Sequence, residues 1–305
     1  MHYSVLLEES IKHLNLKENS VIVDCTLGYA GHSSRVLKEI KKGFLFAFDQ
    51  DDEAIKYSKE KLDKIADNYE IIRSNFVNLK EELNKRTINE VDGILYDLGV
   101  SSPQLDNKER GFSFHADARL DMRMDTKQKL SAYEVVNNYS YDDLVRIFRV
   151  YGEEKFATSI AKNIITTREN KPIETTLELA EIIKNSVPEK YRREKHPARK
   201  VFQAIRIEVN NELNVFENSL NQALDLVKVG GRICVITFHS LEDRICKDIF
   251  KRVSSVDPSL KNLPIIPEEY QPKFKLVANI EPSTHELEEN NRSRSARLRV
   301  IERVR

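Results

Sequence analysis

Short apolar runs alternate with amphipathic stretches through the first hundred residues of the chain. The runs are rich in β-branched or aromatic residues and too short for helices, which is typical of buried strands. Between two of them, Ile55, Leu62 and Ile65 recur at helical spacing and share one face of a stretch over 52–65. The alternation predicts βαβ units and a parallel sheet, with strands at 21–24, 44–49, 70–73 and 91–97.

The pattern changes between about Leu105 and Lys200, where no convincing strand pattern occurs and helices are predicted at 141–151, 153–168 and 175–187. The α/β pattern then resumes. A long helix is predicted over 198–227, ended by Gly230-Gly231, followed by a fifth strand at 232–238. Ser240 and Asp243 are spaced as a helix capping box, and the alternation near the C-terminus suggests an edge strand. We therefore expect an α/β core, 1–106 and 201–305, with an inserted all-helical domain, 107–200.

Three of the predicted strands end in a carboxylate, namely Asp24, Asp49 and Asp97. In parallel sheets, ligands bind at the carboxyl ends of the strands, near the topological switch point. We therefore expect these carboxylates to lie on one edge and to form part of a ligand site. A tight strand–helix turn without a ligand is the alternative for the first of them.

The first strand leads into a glycine-bearing turn, Gly28-Tyr-Ala30-Gly31, and then into a predicted helix from Ser33. A dinucleotide-binding fingerprint needs a third glycine, which is missing here. In addition, the carboxylate of Asp24 at the lip of the turn would repel a diphosphate. S-adenosylmethionine fits better, because it carries an ammonium and a sulfonium and no phosphate. Asp49 is placed to bind ribose hydroxyls with either ligand.

The remaining candidates each allow two interpretations. Phe76 follows the third strand and either stacks on an adenine or fills the core. His32 and His239 follow strand ends, where a hydrogen-bonded histidine that orders a loop is favoured over a general base. No His, Cys, Asp or Glu spacing has the form of a metal site, so no metal is expected.

Composition narrows the class of protein. The 305 residues include 49 Lys and Arg and 49 Asp and Glu, so net charge gives no sign of a polyanionic partner. Cys25, Cys234 and Cys246 are widely spaced, which favours reduced thiols in a cytoplasmic protein. The N-terminal residues lack a signal pattern, and no apolar run approaches membrane-spanning length.

Two local basic clusters change the picture that net charge gives. One closes the predicted insert and the other precedes the last strand; they comprise Lys190, Arg192, Arg193, Lys195, Arg199 and Lys200, and Arg292, Arg294, Arg297 and Arg299. A solvated face is the ordinary explanation of such clusters. Tyrosine, histidine and proline interleave the first cluster and serines the second, which is consistent with a structured RNA partner.

Several long motifs resemble the bacterial 16S rRNA (cytosine-N4)-methyltransferase family known as RsmH or MraW. The resemblance covers nearly the whole chain and is most specific over 91–106. The matching stretches are His2–Glu8, Asp24–His32, Phe48–Ala54, Val91–Asp106, Glu109–Phe114, Leu120–Asp125, Val201–Arg206, Thr237–Arg244 and Arg292–Arg299.

The resemblance implies a Rossmann-like, S-adenosylmethionine-dependent methyltransferase core with a helical substrate domain, acting on a cytosine amine in the decoding region of 16S rRNA. It implies that the cofactor-binding residues are Ala30, Gly31, His32, Asp49, Phe76, Asp97 and Gln104. Ala30 stands where the family usually has glycine, which is tolerable if its φ is negative. The partner would be 16S rRNA within the small ribosomal subunit, and a homodimer is left open. Methylation of another structured RNA, or a catalytically silent rRNA-binding assembly factor, are the alternatives.

Overall fold

A computed structural model describes residues 4–194, 196–260 and 264–305. Internal contacts divide the chain into two compact units, one of residues 1–99 with 213–305 and the other of residues 100–212. The second unit begins before and ends after the predicted insert, 107–200. That this unit recognises the substrate stays a prediction.

The first unit is built on a mixed sheet of seven strands in the order β3-β2-β1-β4-β5-β7-β6. Five strands run parallel, and β7 is antiparallel to both of its neighbours. The strands are β1 Val21–Asp24, β2 Phe44–Asp49, β3 Tyr69–Arg73, β4 Val91–Asp97, β5 Val227–Thr237, β6 Phe274–Ile280 and β7 Arg297–Arg303. The α/β fold and the parallel βαβ half of the sheet are therefore confirmed.

Side chains of alternate strand residues enter two separate cores. On β2, Phe46 and Phe48 belong to one apolar cluster, while Leu45 and Ala47 belong to the other. This period of two follows from the pleat, and because both faces are covered by helices the strand reads as one continuous apolar run. A sheet buried on both faces leaves its strand ends as the exposed places for chemistry.

The helices are α1 Leu7–Leu14, α2 Gly31–Glu39, α3 Asp52–Leu62, α4 Leu79–Lys85, α5 Ser102–Asp106, α6 Ala132–Asn138, α7 Tyr141–Val150, α8 Ala157–Asn170, α9 Thr176–Asn185, α10 Glu189–Glu194, α11 Ala198–Asn210, α12 Glu212–Leu226, α13 Ser240–Ser254 and α14 Thr284–Glu289. The single long helix predicted over 198–227 is wrong. Asn211, at φ 49°, adopts the left-handed conformation that ends α11, and α12 starts at the next residue.

The C-terminal half of the sheet also departs from the sequence prediction. Gly230 and Gly231 do not end a helix but lie within β5, which begins at Val227. β7 is not an edge strand, because it pairs with β5 on one side and with β6 on the other. The edge strand is β6, which the sequence pattern did not reveal because Lys275 and Asn279 dilute its apolar residues.

The second unit has a helical core of its own. Buried residues of α6, α7, α8, α9 and α11 pack together around Phe148, Ile160 and Ile205. Ser131 and Thr175 start α6 and α9 with complete capping boxes, each with a glutamate three residues on. Between 105 and 200, the described residues contain no strand, only an isolated bridge between Arg119 and Thr175.

Candidate functional site

The three strand-end carboxylates lie on one edge of the sheet, as the sequence predicted. β2, β1 and β4 are neighbours and parallel, and Asp49, Asp24 and Asp97 are their last residues. Like charges in such proximity raise each other's pKa unless a cation or hydrogen-bond donors compensate them. Their surroundings therefore decide which of them can hold a ligand.

The turn after β1 is held by two backbone conformations that favour glycine. Gly28 has φ 50°, and Ala30 has φ 54° with its side chain fully buried. The condition under which an alanine would be tolerated without strain, a negative φ, is therefore not met, and this turn carries left-handed strain at a residue with a β-carbon. Gly31 begins α2, and a β-carbon there would meet Ser4 Oγ at 1.7 Å, because the N-terminal segment packs against the turn.

Helix α3 braces the same turn from outside. Ser58 Oγ donates to the carbonyl of Gly28 at 2.7 Å, and Lys61 Nζ donates to the carbonyl of Tyr29 at 3.0 Å. The Tyr29 ring stacks on Tyr57 with centroids 4.3 Å apart. These contacts fix the backbone of the turn independently of any ligand, which is how a preorganised binding loop is built.

Asp24 does not lie at the lip of the turn, contrary to the argument made from the sequence. It is 1% exposed, and its carboxylate accepts hydrogen bonds from the Thr26 amide at 3.0 Å and the Ser33 hydroxyl at 2.6 Å. Burial raises its pKa against the effect of these bonds. Asp24 therefore joins the end of β1 to the start of α2, and its charge acts on the site only through space.

Asp49 presents a carboxylate that is only partly used. Its two oxygens accept the amides of Gly28 and Asp51, each at 2.9 Å, so each retains a further lone pair. Desolvation raises its pKa to about 7, more than the amides lower it. A ligand hydroxyl that donates here would favour the ionised form, so the position is suited to a diol such as ribose.

Asp97 and His32 lie close together, and the neutral form of each side chain is favoured. Asp97 Oδ2 lies 3.5 Å from His32 Nδ1. Burial, and next the charges of Asp24 and Glu242, raise the pKa of Asp97 to about 8, while burial lowers the pKa of His32 to about 4. At neutral pH both groups are therefore mostly uncharged, and the contact is not an ion pair.

Thr26 connects the two strand ends at this point, and sequence reasoning missed it. Its hydroxyl accepts the backbone amide of Asp97 at 2.7 Å, while its own amide donates to Asp24. A threonine two residues after a strand-end aspartate was the available signal, because such hydroxyls commonly satisfy local backbone groups.

Buried polar atoms without partners converge on this edge. Among the described residues of the first unit, His32 Nε2 and Asp97 Oδ1 are buried with no hydrogen bond, and Arg305 Nη2 is such an atom elsewhere. His239 Nε2 is also buried, and its close polar contact is Glu242 Oε1 at 3.0 Å. Nearly all buried polar atoms in folded proteins are paired, so clustered exceptions mark a place where a ligand or water completes the bonding. The residues at the ends of β1, β4 and β5 therefore form a polar site that needs a partner.

The end of β5 adds a pocket. It is lined by Thr237, Phe238, His239, Ser240, Asp243, Ser295 and Arg297. His239, not Ser240, is the residue that caps α13, with Nδ1 at 3.5 Å from the Glu242 amide. Glu242 is 2% exposed and accepts the amide of Phe238, and the sequence analysis did not single it out.

Phe76 lies just after β3 and is half-buried. Its ring packs edge-on against Tyr96, with centroids 5.6 Å apart, so it contributes to the core on one side. Asn75 ties this turn to the end of β2, because its amide donates to Gln50 at 3.0 Å. The two interpretations made from the sequence are thus compatible, and a stacking role stays a prediction.

Gln104 belongs to the second unit. It lies on α5, is 8% exposed, and exchanges hydrogen bonds with Ser101 at 3.1 and 3.4 Å. A ligand contact from this residue is not tested by these bonds and stays a prediction.

The basic clusters divide into paired and unpaired cations. Arg299 makes two hydrogen bonds to Asp243, at 2.7 and 2.9 Å, and Arg297 pairs with Glu281. Arg294 is exposed and has no ion pair with any residue that the structure describes. In the first cluster, Lys195 lies outside the described residues, and Lys200 donates to the carbonyl of Glu153.

Comparison with known proteins finds matches over nearly the whole chain. A model of the MraW methylase family matches residues 1–304. The chain is 56% identical to the ribosomal RNA small subunit methyltransferase H of Exiguobacterium sibiricum, over 99% of this chain and 98% of that protein.

Solved structures are more distant in sequence. An rRNA methylase from Streptococcus thermophilus is 11% identical with a TM-score of 0.45, over 100% of this chain and 99% of that one. A SAM-dependent O-methyltransferase from Thermotoga maritima is 11% identical with a TM-score of 0.42, over 100% and 68%. No helix among residues 4–194, 196–260 and 264–305 is long and apolar enough to span a membrane.

Proposed function

Since the chain belongs to the MraW methylase family, we propose that it transfers a methyl group from S-adenosylmethionine to the exocyclic N4 amine of a cytosine in the decoding region of 16S rRNA. The carrying observation is the set of unpartnered buried polar atoms on the edge where Asp49 and Asp97 end their strands. The relative's name supports rRNA of the small subunit as the substrate. The enzyme acts in the cytoplasm, where that subunit is assembled.

The residues of the edge fit the donor molecule. The ribose diol of the donor would donate hydrogen bonds to the free lone pairs of Asp49. The carboxyl of Asp97, whose pKa burial raises to about 8, would be favoured in its ionised form by the cationic amino-acid moiety. Ala30, Gly31 and His32 lie in the turn between them, Phe76 supplies a partly exposed ring, and Gln104 completes the proposed set. When bound, S-adenosylmethionine supplies the methyl group that is transferred.

Methyl transfer from a sulfonium expels a neutral leaving group, so the enzyme mainly positions two reactants. The cytosine amine is a weak nucleophile because its lone pair is delocalised into the ring. An acceptor that holds one amine proton counters this, and Asp97 Oδ1 is a buried acceptor with no partner. The pocket at the end of β5, which contains Phe238 and His239, lies on the strand next to β4 and is the proposed place for the base.

The test uses purified protein, labelled S-adenosylmethionine and small ribosomal subunits from a strain that lacks this gene. We expect one labelled methyl group, which mapping locates on a cytosine of 16S rRNA. Naked 16S rRNA serves as a parallel substrate and tells whether the assembled particle is needed. Absence of label from both, with cofactor binding intact, would contradict the proposal and favour an assembly factor.

Asp49→Ala provides the matched test of cofactor placement. We expect S-adenosylmethionine to bind about a hundredfold more weakly, because hydrogen bonds to a charged group are worth about 1.5–3 kcal/mol each. Asp52→Ala is the control, since this residue starts α3 nearby but pairs with Arg73 at the surface. Equal affinities for Asp49→Ala and wild type would show that the ribose contact is assigned wrongly.

A further inference from the structure

Four aromatic rings of the second unit are in contact with one another from its core to its surface, and one of the pairs is stacked. Phe202 is 4% exposed and packs edge-on against Phe114, with centroids 5.5 Å apart. His196 stacks on Phe114 at 4.5 Å with an interplanar angle of 25°, and His115 contacts the same ring at 4.3 Å. Both imidazoles are exposed, so the stack ends in two aromatic faces at the surface.

Hydrogen bonds hold the His196 ring and the backbone next to His115. His196 Nδ1 accepts the amide of Ala198 at 3.2 Å, which leaves the proton of the neutral ring on Nε2. The hydroxyl of the fully buried Thr176 donates to the carbonyl of Ala116 at 2.7 Å and holds the residue that follows His115. Because the rings are preorganised, a ligand that stacks on them loses little free energy in ordering them.

The surroundings of the stack are cationic. Lys184 and Arg199 lie close enough to His196 to lower its pKa, together with burial, the largest cause, and His115. Arg199 is exposed, and its side chain makes no ion pair with any described residue. Lys184 pairs with Glu181 at 3.7 Å, so Arg199 is the cation without an ion pair here. Aromatic side chains next to such a cation are the combination by which proteins bind single-stranded nucleic acid, through base stacking and phosphate contacts.

We propose that His115, Phe114 and His196 form a stacking platform for a base in a single-stranded segment of the rRNA substrate, with Arg199 contacting the adjacent phosphate. This inference rests on the proposed function, because that function supplies the RNA. It adds a contact in the helical unit that is separate from the cofactor residues of the sheet.

The test compares three proteins with a short single-stranded RNA of mixed sequence that carries 2-aminopurine. The variant His115→Ala with His196→Asn removes both imidazole rings, while the asparagine oxygen replaces His196 Nδ1 as the acceptor of the Ala198 amide. The variant His115→Phe with His196→Phe retains the aromatic faces. We expect the first to bind about tenfold more weakly and to lose the fluorescence quenching that stacking causes, and the second to keep the quenching.

His285→Ala is the control, since this imidazole is 79% exposed on α14 in the first unit. It should bind the RNA as wild type does. Equal binding and quenching by wild type and the variant without the two imidazoles would overturn the platform. Methylation of small subunits is measured separately, so absence of methylation with the expected quenching pattern would contradict the proposed function and leave the platform standing.

Discussion

Two parts of the same sheet differ in whether their charged and polar side chains have partners. Where the parallel strands end, buried atoms of Asp97 and His32 have no hydrogen-bond partners. Along the antiparallel part, Arg299 pairs with Asp243 and Arg232 pairs with Glu302 at 2.8 Å. Paired charges such as these are typical of a framework, and a cluster of unpaired buried atoms is typical of a site that a ligand completes.

This difference changes how the C-terminal basic cluster is interpreted. Arg299 is 14% exposed and committed to Asp243, so it fastens β7 to α13. Arg297 is held by Glu281 and Asn279. Arg294 remains available for RNA, since it is exposed and has no ion pair among residues the structure describes.

The strongest test of this comparison is Asp97→Asn, which should weaken the binding of the ligand and stabilise the ligand-free protein. We expect the affinity for S-adenosylmethionine to fall about a hundredfold, because the amide cannot supply a negative charge. We also expect the free energy of unfolding at pH 8 to rise by about 1 kcal/mol, because no charge is buried without a partner. Isothermal titration and urea denaturation measure the two effects.

The pH dependence follows from the raised pKa of Asp97, about 8 in the folded protein. The unfolded carboxyl titrates near about 3.9, so the folded state binds the proton more tightly. Wild-type stability is therefore lost as pH rises from about 4 to about 8, and the advantage of Asp97→Asn should grow over that interval. An advantage independent of pH would contradict the assignment of the pKa to this residue.

The framework side of the comparison is tested by Arg299→Ala against Arg297→Ala. The first leaves Asp243 without its guanidinium in a partly buried place and should lower the free energy of unfolding by about 2 kcal/mol. The second breaks a pair whose glutamate is 68% exposed and should cost less than about 0.5 kcal/mol. Neither should change cofactor affinity in a binding assay, and a large loss of affinity in Arg299→Ala would place it in the site instead.

The parallel half of the sheet was predictable because local pattern and tertiary role agree there. β2 and β4 have the predicted bounds, since each has a run of apolar residues directly before the aspartate that ends it. The break at Asn211 was not predictable, because apolar residues of α11 and α12 continue one helical pattern across it. Gly230-Gly231 was misread as a helix end because glycine pairs interrupt regular structure. In the fold they lie in an irregularity of β5 between Val227 and Arg232, the residues that pair with β4 on either side of it.

Within the site, the sequence predicted which residues lie at the edge of the sheet but not which hydrogen bonds their side chains make. Asp24, Asp49 and Asp97 each end a strand, yet the first is buried beneath Thr26 and Ser33 while the others retain free acceptors. That distinction depends on hydrogen bonds from residues outside the strands. Periodicity and residue type carry no information on such bonds, so only the folded structure separates a structural carboxylate from a binding one.

The smallest expected effect concerns strain in the turn, and it compares Ala30→Gly with Ala223→Gly. Both alanines are fully buried, and each substitution removes one methyl group, worth about 0.8 kcal/mol. In α12, glycine at 223 loses helix propensity as well, for a total of about 2 kcal/mol. At Ala30, release of the left-handed strain offsets most of the loss, so the free energy of unfolding should change by less than about 0.5 kcal/mol. Urea denaturation of the two variants in parallel measures the difference between their free energies of unfolding. Equal losses of stability would show that Ala30 is not strained in this turn.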